Sequence, residues 1–142
     1  MSERLKDKVA VITGGGSGIG RAVCLAFARE GAGVGVVDRD NESATAVAQQ
    51  INADGAPAAL ALQADITSSS DLQQMAASVR EHFGHVDVLV NNAGSRIIKS
   101  FMEHTEADWR AMLDVNLTGH FLCTQAILPM MLERGNGRII NV

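Results

Sequence analysis

A glycine-rich turn set between an apolar run and a helix-forming stretch limits this chain more than any other feature. The run Val9-Ala10-Val11-Ile12-Thr13 leads into Gly14-Gly15-Gly16-Ser17-Gly18-Ile19-Gly20. Glycine is needed where a backbone bends sharply, and where a ligand must touch the backbone itself. Amides at the start of the following helix, aided by the helix dipole, favour an anion there. A dinucleotide pyrophosphate is the expected anion. The spacing is Gly-x-x-x-Gly-x-Gly rather than the commoner Gly-x-Gly-x-x-Gly. It is no P-loop, because Arg21 and Ala22 follow Gly20. It is no nucleophile elbow, because the last glycine of Gly-x-Ser-x-Gly is replaced by Ile19. A flexible connection between strand and helix is the alternative reading of the turn taken alone.

The rest of the chain alternates strand and helix patterns, which predicts an α/β fold with a doubly wound parallel sheet. Strands are expected at residues 9–13, 34–37, 59–63, 86–90 and 138–142. The first helix is expected at 17–30, with Ile19, Val23, Ala26 and Phe27 inward. The second, at 42–52, turns Ala44, Val47, Ala48 and Ile51 inward. Ser68-x-x-Asp71 resembles a capping box opening a third helix, which buries Leu72, Met75, Ala76, Val79 and Phe83 and stops at Gly84. Thr105-x-x-Asp108 is a second such box, opening a long helical region to about residue 134. Trp109, Met112 and Leu113 are expected in the core. No repeat, linker or second domain interrupts residues 1–142, so one domain is expected.

A 46% apolar, 20% charged composition over 142 residues is that of a water-soluble globular domain. The net charge of −4 gives no electrostatic case for nucleic acid or an anionic membrane. No apolar run approaches the length of a membrane span, and no signal peptide is visible, so a cytoplasmic protein is expected. Cys24 and Cys123 fall in apolar helical stretches and are expected to be buried thiols. The four histidines form no metal-ligand spacing with them, so no metal site is expected.

The candidate polar residues stand where strands end. Asp38 closes the second strand, about 20 residues beyond the glycine turn, where a carboxylate can bond ribose hydroxyls and repel a 2′-phosphate. Arg39 beside it could instead embrace that phosphate. Asp65 follows the third strand and could accept from an adenine amino group or cap the next helix. Asn91-Asn92-Ala93-Gly94 follows the fourth strand, as a turn or as a wall of the site. Asn116 lies in the long helical region, where asparagine and the nearby Gly119 suit a local distortion with a freed carbonyl.

Taken in order, Thr13-Gly14-x-x-x-Gly18-Ile19-Gly20, Asp38, Asp65, Asn91-Asn92-Ala93-Gly94 and Asn116 resemble the short-chain dehydrogenase/reductase family. The resemblance covers the whole chain. It implies a Rossmann fold with sheet order 3-2-1-4-5-6-7, of which the first five strands are present. It implies that Gly14, Ser17, Gly18, Ile19 and Gly20 cradle a pyrophosphate, that Asp38 takes the adenosine ribose, and that Asp65 with Ile66 takes the adenine. Asn91, Ala93 and Gly94 would line the nicotinamide side, and Asn116 would hold a water of the proton relay. The implied activity is hydride transfer between NAD(P)(H) and an alcohol/carbonyl pair. NAD is preferred from Asp38, and NADP stays open because of Arg39. A homo-oligomer acting on a small molecule is implied for the complete enzyme.

One departure stands out. The family uses a serine after the fifth strand and then Tyr-x-x-x-Lys, whereas this sequence contains no tyrosine at all. The chain is therefore expected to carry the cofactor-binding half, ending just before the serine, and to be inactive by itself. The alternative is a non-catalytic dinucleotide-binding or interaction module.

Overall fold

The computed structural model describes residues 3–142. Its centre is a sheet of five strands: β1 Val9–Thr13, β2 Gly33–Asp38, β3 Ala59–Gln63, β4 Val88–Asn91 and β5 Arg138–Asn141. The strands are all parallel, in the order β3-β2-β1-β4-β5. Five α-helices connect and cover them: α1 Gly18–Arg29, α2 Asn41–Ala53, α3 Ser69–Phe83, α4 Glu106–Leu113 and α5 Gly119–Arg134. This is the expected doubly wound architecture.

Two apolar layers hold it. On one face Ala10, Ile12, Val34, Val36 and Val90 pack with Cys24 and Ala28 of α1 and with Ala44, Val47, Ala48 and Ile51 of α2. On the other, Val11 and Leu89 pack with Leu72, Met75 and Val79 of α3 and with Cys123, Ile127, Met130 and Met131 of α5. Alternate residues of one strand feed opposite layers, which is why β1 is buried along its whole length. The two thiols lie in opposite layers and are free. Burial pushes each up to about 12, so both stay neutral. No helix among the described residues is long and apolar enough to cross a membrane.

Two expectations need correction. The inward face of α1 is Gly20, Cys24 and Ala28, with Val23 and Phe27 at its flanks, while Ile19 is 65% exposed and Ala26 points to solvent. Packing selects the small residues because α1 lies close against the strand, and Ile19 turns to the cleft instead. Trp109 is 60% exposed and Leu113 is also exposed, so the α4 face read as core is a surface. The long helical region is not continuous: a π turn, Asp114–Thr118, separates α4 from α5, closed by Gly119 N–H donating to the Asp114 carbonyl. The distortion expected at Asn116 is this turn.

At the base of the sheet Asp87 is 3% exposed and accepts from the Val9 amide at 2.9 Å. Its own backbone pairs with Val9 and Arg138, so one residue ties β1, β4 and β5 together. His85, Lys8 and Arg134 place nitrogens 3.2, 3.9 and 3.8 Å from its carboxylate.

Candidate functional site

A parallel sheet brings the carboxyl ends of all its strands to one edge, and the loops that follow β1, β2, β3 and β4 meet there. They enclose a cleft of about 690 Å³. Gly14, Ser17, Gly18, Ile19, Asp38, Arg39, Asp65, Ile66, Ala93 and Gly94 all line it. Val37, Asp40, Ser43, Ala64, Asn92, Ser95, Ala111 and Val115 complete the wall.

The glycine turn shows why its residues are what they are. Gly14 and Gly18 sit at φ +65° and +54°, in the left-handed region that suits glycine. A Cβ on Gly20 would overlap the Gly14 carbonyl, so glycine there lets α1 begin directly against the turn. At Gly18 a Cβ would meet nothing within 4 Å, so the turn is bare toward the cleft. Gly15 N–H donates to the Val37 carbonyl at 2.9 Å and Gly16 N–H to Asp38 Oδ2 at 3.0 Å, which fixes the turn to the end of β2. Ser17 occupies the N-cap of α1 without a side-chain cap bond, and no acidic residue stands in the first turn. Three of the other helices differ: Asp40 caps α2, Ser68 caps α3, and Thr105 with Asp108 forms a reciprocal box on α4, while α5 continues from the π turn without a side-chain cap. The α1 terminus is thus kept free of competing oxygens, with its dipole aimed at the cleft.

At the β2–β3 end, Asp38 Oδ1 also accepts from Asp40 N–H at 3.0 Å. Asp65 Oδ1 accepts from the Thr67 amide at 2.9 Å and hydroxyl at 2.7 Å. Those bonds hold the Asp65 carboxyl below its usual range, and the nearby Arg39 charge adds to the effect. The Ser68-x-x-Asp71 box is only half made. Ser68 accepts from the Asp71 amide, but Asp71 Oδ2 accepts from Asp65 N–H and so anchors the cleft loop instead.

At the β4 end, Thr13 organises the loop. Its Oγ1 accepts from both Asn92 N–H and Ala93 N–H at 3.0 Å and donates to the Val90 carbonyl. That is the full capacity of a hydroxyl. Asn92 Nδ2 donates to the Thr13 carbonyl at 3.1 Å, joining this loop to the glycine turn. Asn116 clasps Ser95 twice: Nδ2 donates to its carbonyl at 2.7 Å and Oδ1 accepts from its amide at 3.0 Å. His120 Nε2 lies 2.8 Å from the Ala93 carbonyl.

Three of the anticipated site residues stand behind the wall rather than in it. Gly20 is buried beneath the turn. Asn91 is fully buried on the α5 side of the sheet, where Nδ2 donates to Thr124 Oγ1 and Asn141 Oδ1. The pleat of β4 turns its side chain away from the cleft. Asn116 works through Ser95. Conversely, Asp40 and Ser95 carry site geometry without having been singled out, and Thr13 and Asn92, quoted as parts of motifs, had been given no role of their own. Their signal is modest: short polar side chains at strand ends, able to bridge backbone groups.

Comparison with known proteins adds an independent finding. A family model described as short chain dehydrogenase matches residues 8–142. An uncharacterised oxidoreductase of Staphylococcus epidermidis is 37% identical over 98% of this chain and 59% of its own length. The D-threitol dehydrogenase of Mycolicibacterium smegmatis is 41% identical over 98% of this chain and 53% of its own. Among solved structures, a 7α-hydroxysteroid dehydrogenase complexed with NADH and 7-oxo glycochenodeoxycholic acid superposes with a TM-score of 0.93 at 37% identity, covering 99% of this chain and 55% of that one. The chain therefore spans a little over half the length of the relatives it matches.

Proposed function

The chain belongs to the short-chain dehydrogenase family, and on that premise we propose that its cleft holds a nicotinamide dinucleotide, NAD(H) in preference to NADP(H). The observation that carries this is the uncapped start of α1 behind a turn that is bare at Gly18, at the mouth of a cleft sized for such a ligand. Members of the family are oxidoreductases, and the activity proposed for the whole protein is oxidoreduction of an alcohol/carbonyl pair.

In this reading the amides around Ser17, Gly18 and Ile19 take the pyrophosphate, and Gly14 and Gly20 let strand and helix approach closely enough to present them. Asp38 takes the adenosine ribose, and Asp65 with Ile66 borders the adenine. Ala93 and Gly94 wall the nicotinamide end, with Asn91 and Asn116 bracing them from behind. When bound, the nicotinamide supplies or accepts a hydride. The preference for NAD rests on charge. Asp38, Asp40 and Asp65 line the cleft against the single cation Arg39, so a 2′-phosphate would enter a net negative field.

Residues 1–142 contain no tyrosine, so a phenolic proton donor of the family kind would have to come from outside them. These residues alone are expected to bind without turnover, and that same observation favours a second reading, a dinucleotide-binding module without catalysis. The exposed Trp109, Leu117 and Phe121 support a subunit contact of the family type, hence a homo-oligomer. The test is equilibrium titration with NADH and NADPH, followed by nicotinamide fluorescence. Saturable binding with NADH the tighter ligand supports the proposal, and a folded protein that takes neither overturns it.

A further inference from the structure

We propose that His120 is a positioning residue of the cleft, holding the Ala93–Gly94 peptide so that the Ala93–Ser95 wall has one conformation. The inference rests on the dinucleotide reading of the site. His120 lies in the first turn of α5, just past the π turn, and its Nε2 is 2.8 Å from the Ala93 carbonyl. A carbonyl only accepts, so Nε2 must carry a proton and donate. The amide of the same residue donates to Thr13 Oγ1 at 3.0 Å. Both backbone polar groups of Ala93 are therefore held, one from the end of β1 and one from α5. They belong to the two peptide planes that flank Ala93, so Thr13 holds the plane before it, His120 holds the plane after it, and neither rotates without breaking a bond.

The neighbouring contacts point the same way. Asn116, four residues before His120, holds Ser95 at both its amide and its carbonyl. A Cβ on Gly94 would come within 2.9 Å of Asn116 Oδ1, so the loop lies directly on the π turn. Ala93, Gly94 and Ser95 all face the cleft, whereas His120 does not. With its Nε2 occupied by backbone and its ring outside the cleft, His120 acts through the loop rather than on a ligand. An unbraced loop samples several wall shapes, and only the fraction in the binding shape takes ligand, so affinity falls by that fraction.

The experiment compares NADH affinity of the protein with those of His120→Leu and His120→Gln. Leucine keeps volume but cannot donate, whereas a glutamine amide can reach the same carbonyl with an N–H. The expected result is about tenfold weaker NADH binding for the leucine variant and recovery in the glutamine variant. Nitrogen-15 spectra of the imidazole supply a second readout, with Nε2 as the protonated nitrogen of the neutral ring. Undiminished binding by the leucine variant, failure of glutamine to restore it, or an Nδ1-protonated neutral ring each overturns the inference. If the unsubstituted protein binds no NADH, the cofactor reading itself fails, and the tautomer alone then decides whether His120 clamps the loop.

Discussion

Asp38 carries three tasks at one position. It fixes the glycine turn through Gly16, steadies its own loop through Asp40, and faces the cleft. A hydrogen bond to a charged group contributes about 1.5–3 kcal/mol. Asp38→Ala is therefore expected to weaken NADH binding by about 10- to 100-fold, and NADPH binding by less, as measured by parallel titrations. The reverse ranking would make Arg39 the determinant of cofactor choice. Gly18 gives a sharper test of the cradle. Its φ of +54° costs an alanine about 1–2 kcal/mol, and no neighbouring atom adds to that. The methyl group would stand where the phosphate is proposed to lie. Gly18→Ala should stay folded by circular dichroism and still lose NADH binding, whereas a variant that binds normally would empty the cradle of its role.

The contrast between helices α1 and α4 separates function from stability at the level of elements. α1 has no cap and depends on its buried face, while α4 has no buried residue and depends on its cap. Asp108 bonds Lys99 Nζ and the Thr105 amide, and these hold its carboxyl at about 2 against an ordinary 3.8. A carboxyl lowered by folding stabilises above its ordinary value. That support should be lost as pH falls from 3.8 through about 2. Amide exchange at Thr105 and Asp108 would report it, with protection falling in that window and not above it. At the other end of the sheet, Asp87 joins three strands from a buried position. Asp87→Ala strands the Val9 amide and leaves Lys8 and Arg134 without their anion. The expected loss is about 2–4 kcal/mol in urea denaturation, with the cleft still competent under native conditions. Much of this was readable from the chain. The α2 and α3 faces were fully visible because their apolar spacing is strict. On α1 the burial of Cys24 was expected, but Ile19 and Ala26 were misplaced because Gly20 and Ala28 carry no hydrophobic signal strong enough to outweigh Ile19. Trp109 was misread for the opposite reason, since a large apolar side chain at helical spacing looks the same whether it faces a core or an open surface.

For the molecule as a whole, the parallel α/β class and a cleft at the carboxyl ends of the strands follow from the alternation of strands and helices, whereas the sheet order was expected only from the family resemblance. The site was visible where it depends on backbone shape. Gly14 and Gly18 announce their turn in any context. It was hidden where it depends on long-range side-chain bonds. Nothing near Asn91 in sequence says that its amide reaches Thr124 and Asn141, or that Asn92 does the work at the glycine turn. The central claim is that one cleft, bounded by four strand-end loops, receives a dinucleotide. A competing concavity of about 510 Å³ lies between α3 and α5, lined by Leu72, Ala76, Leu122 and Pro129 among others. Mapping backbone amide shifts during an NADH titration distinguishes the two. The account predicts saturable shifts at 14–20, 38–40, 64–66 and 92–95, with the α3–α5 groove silent. Shifts confined to that groove, or none in a folded protein, would contradict it.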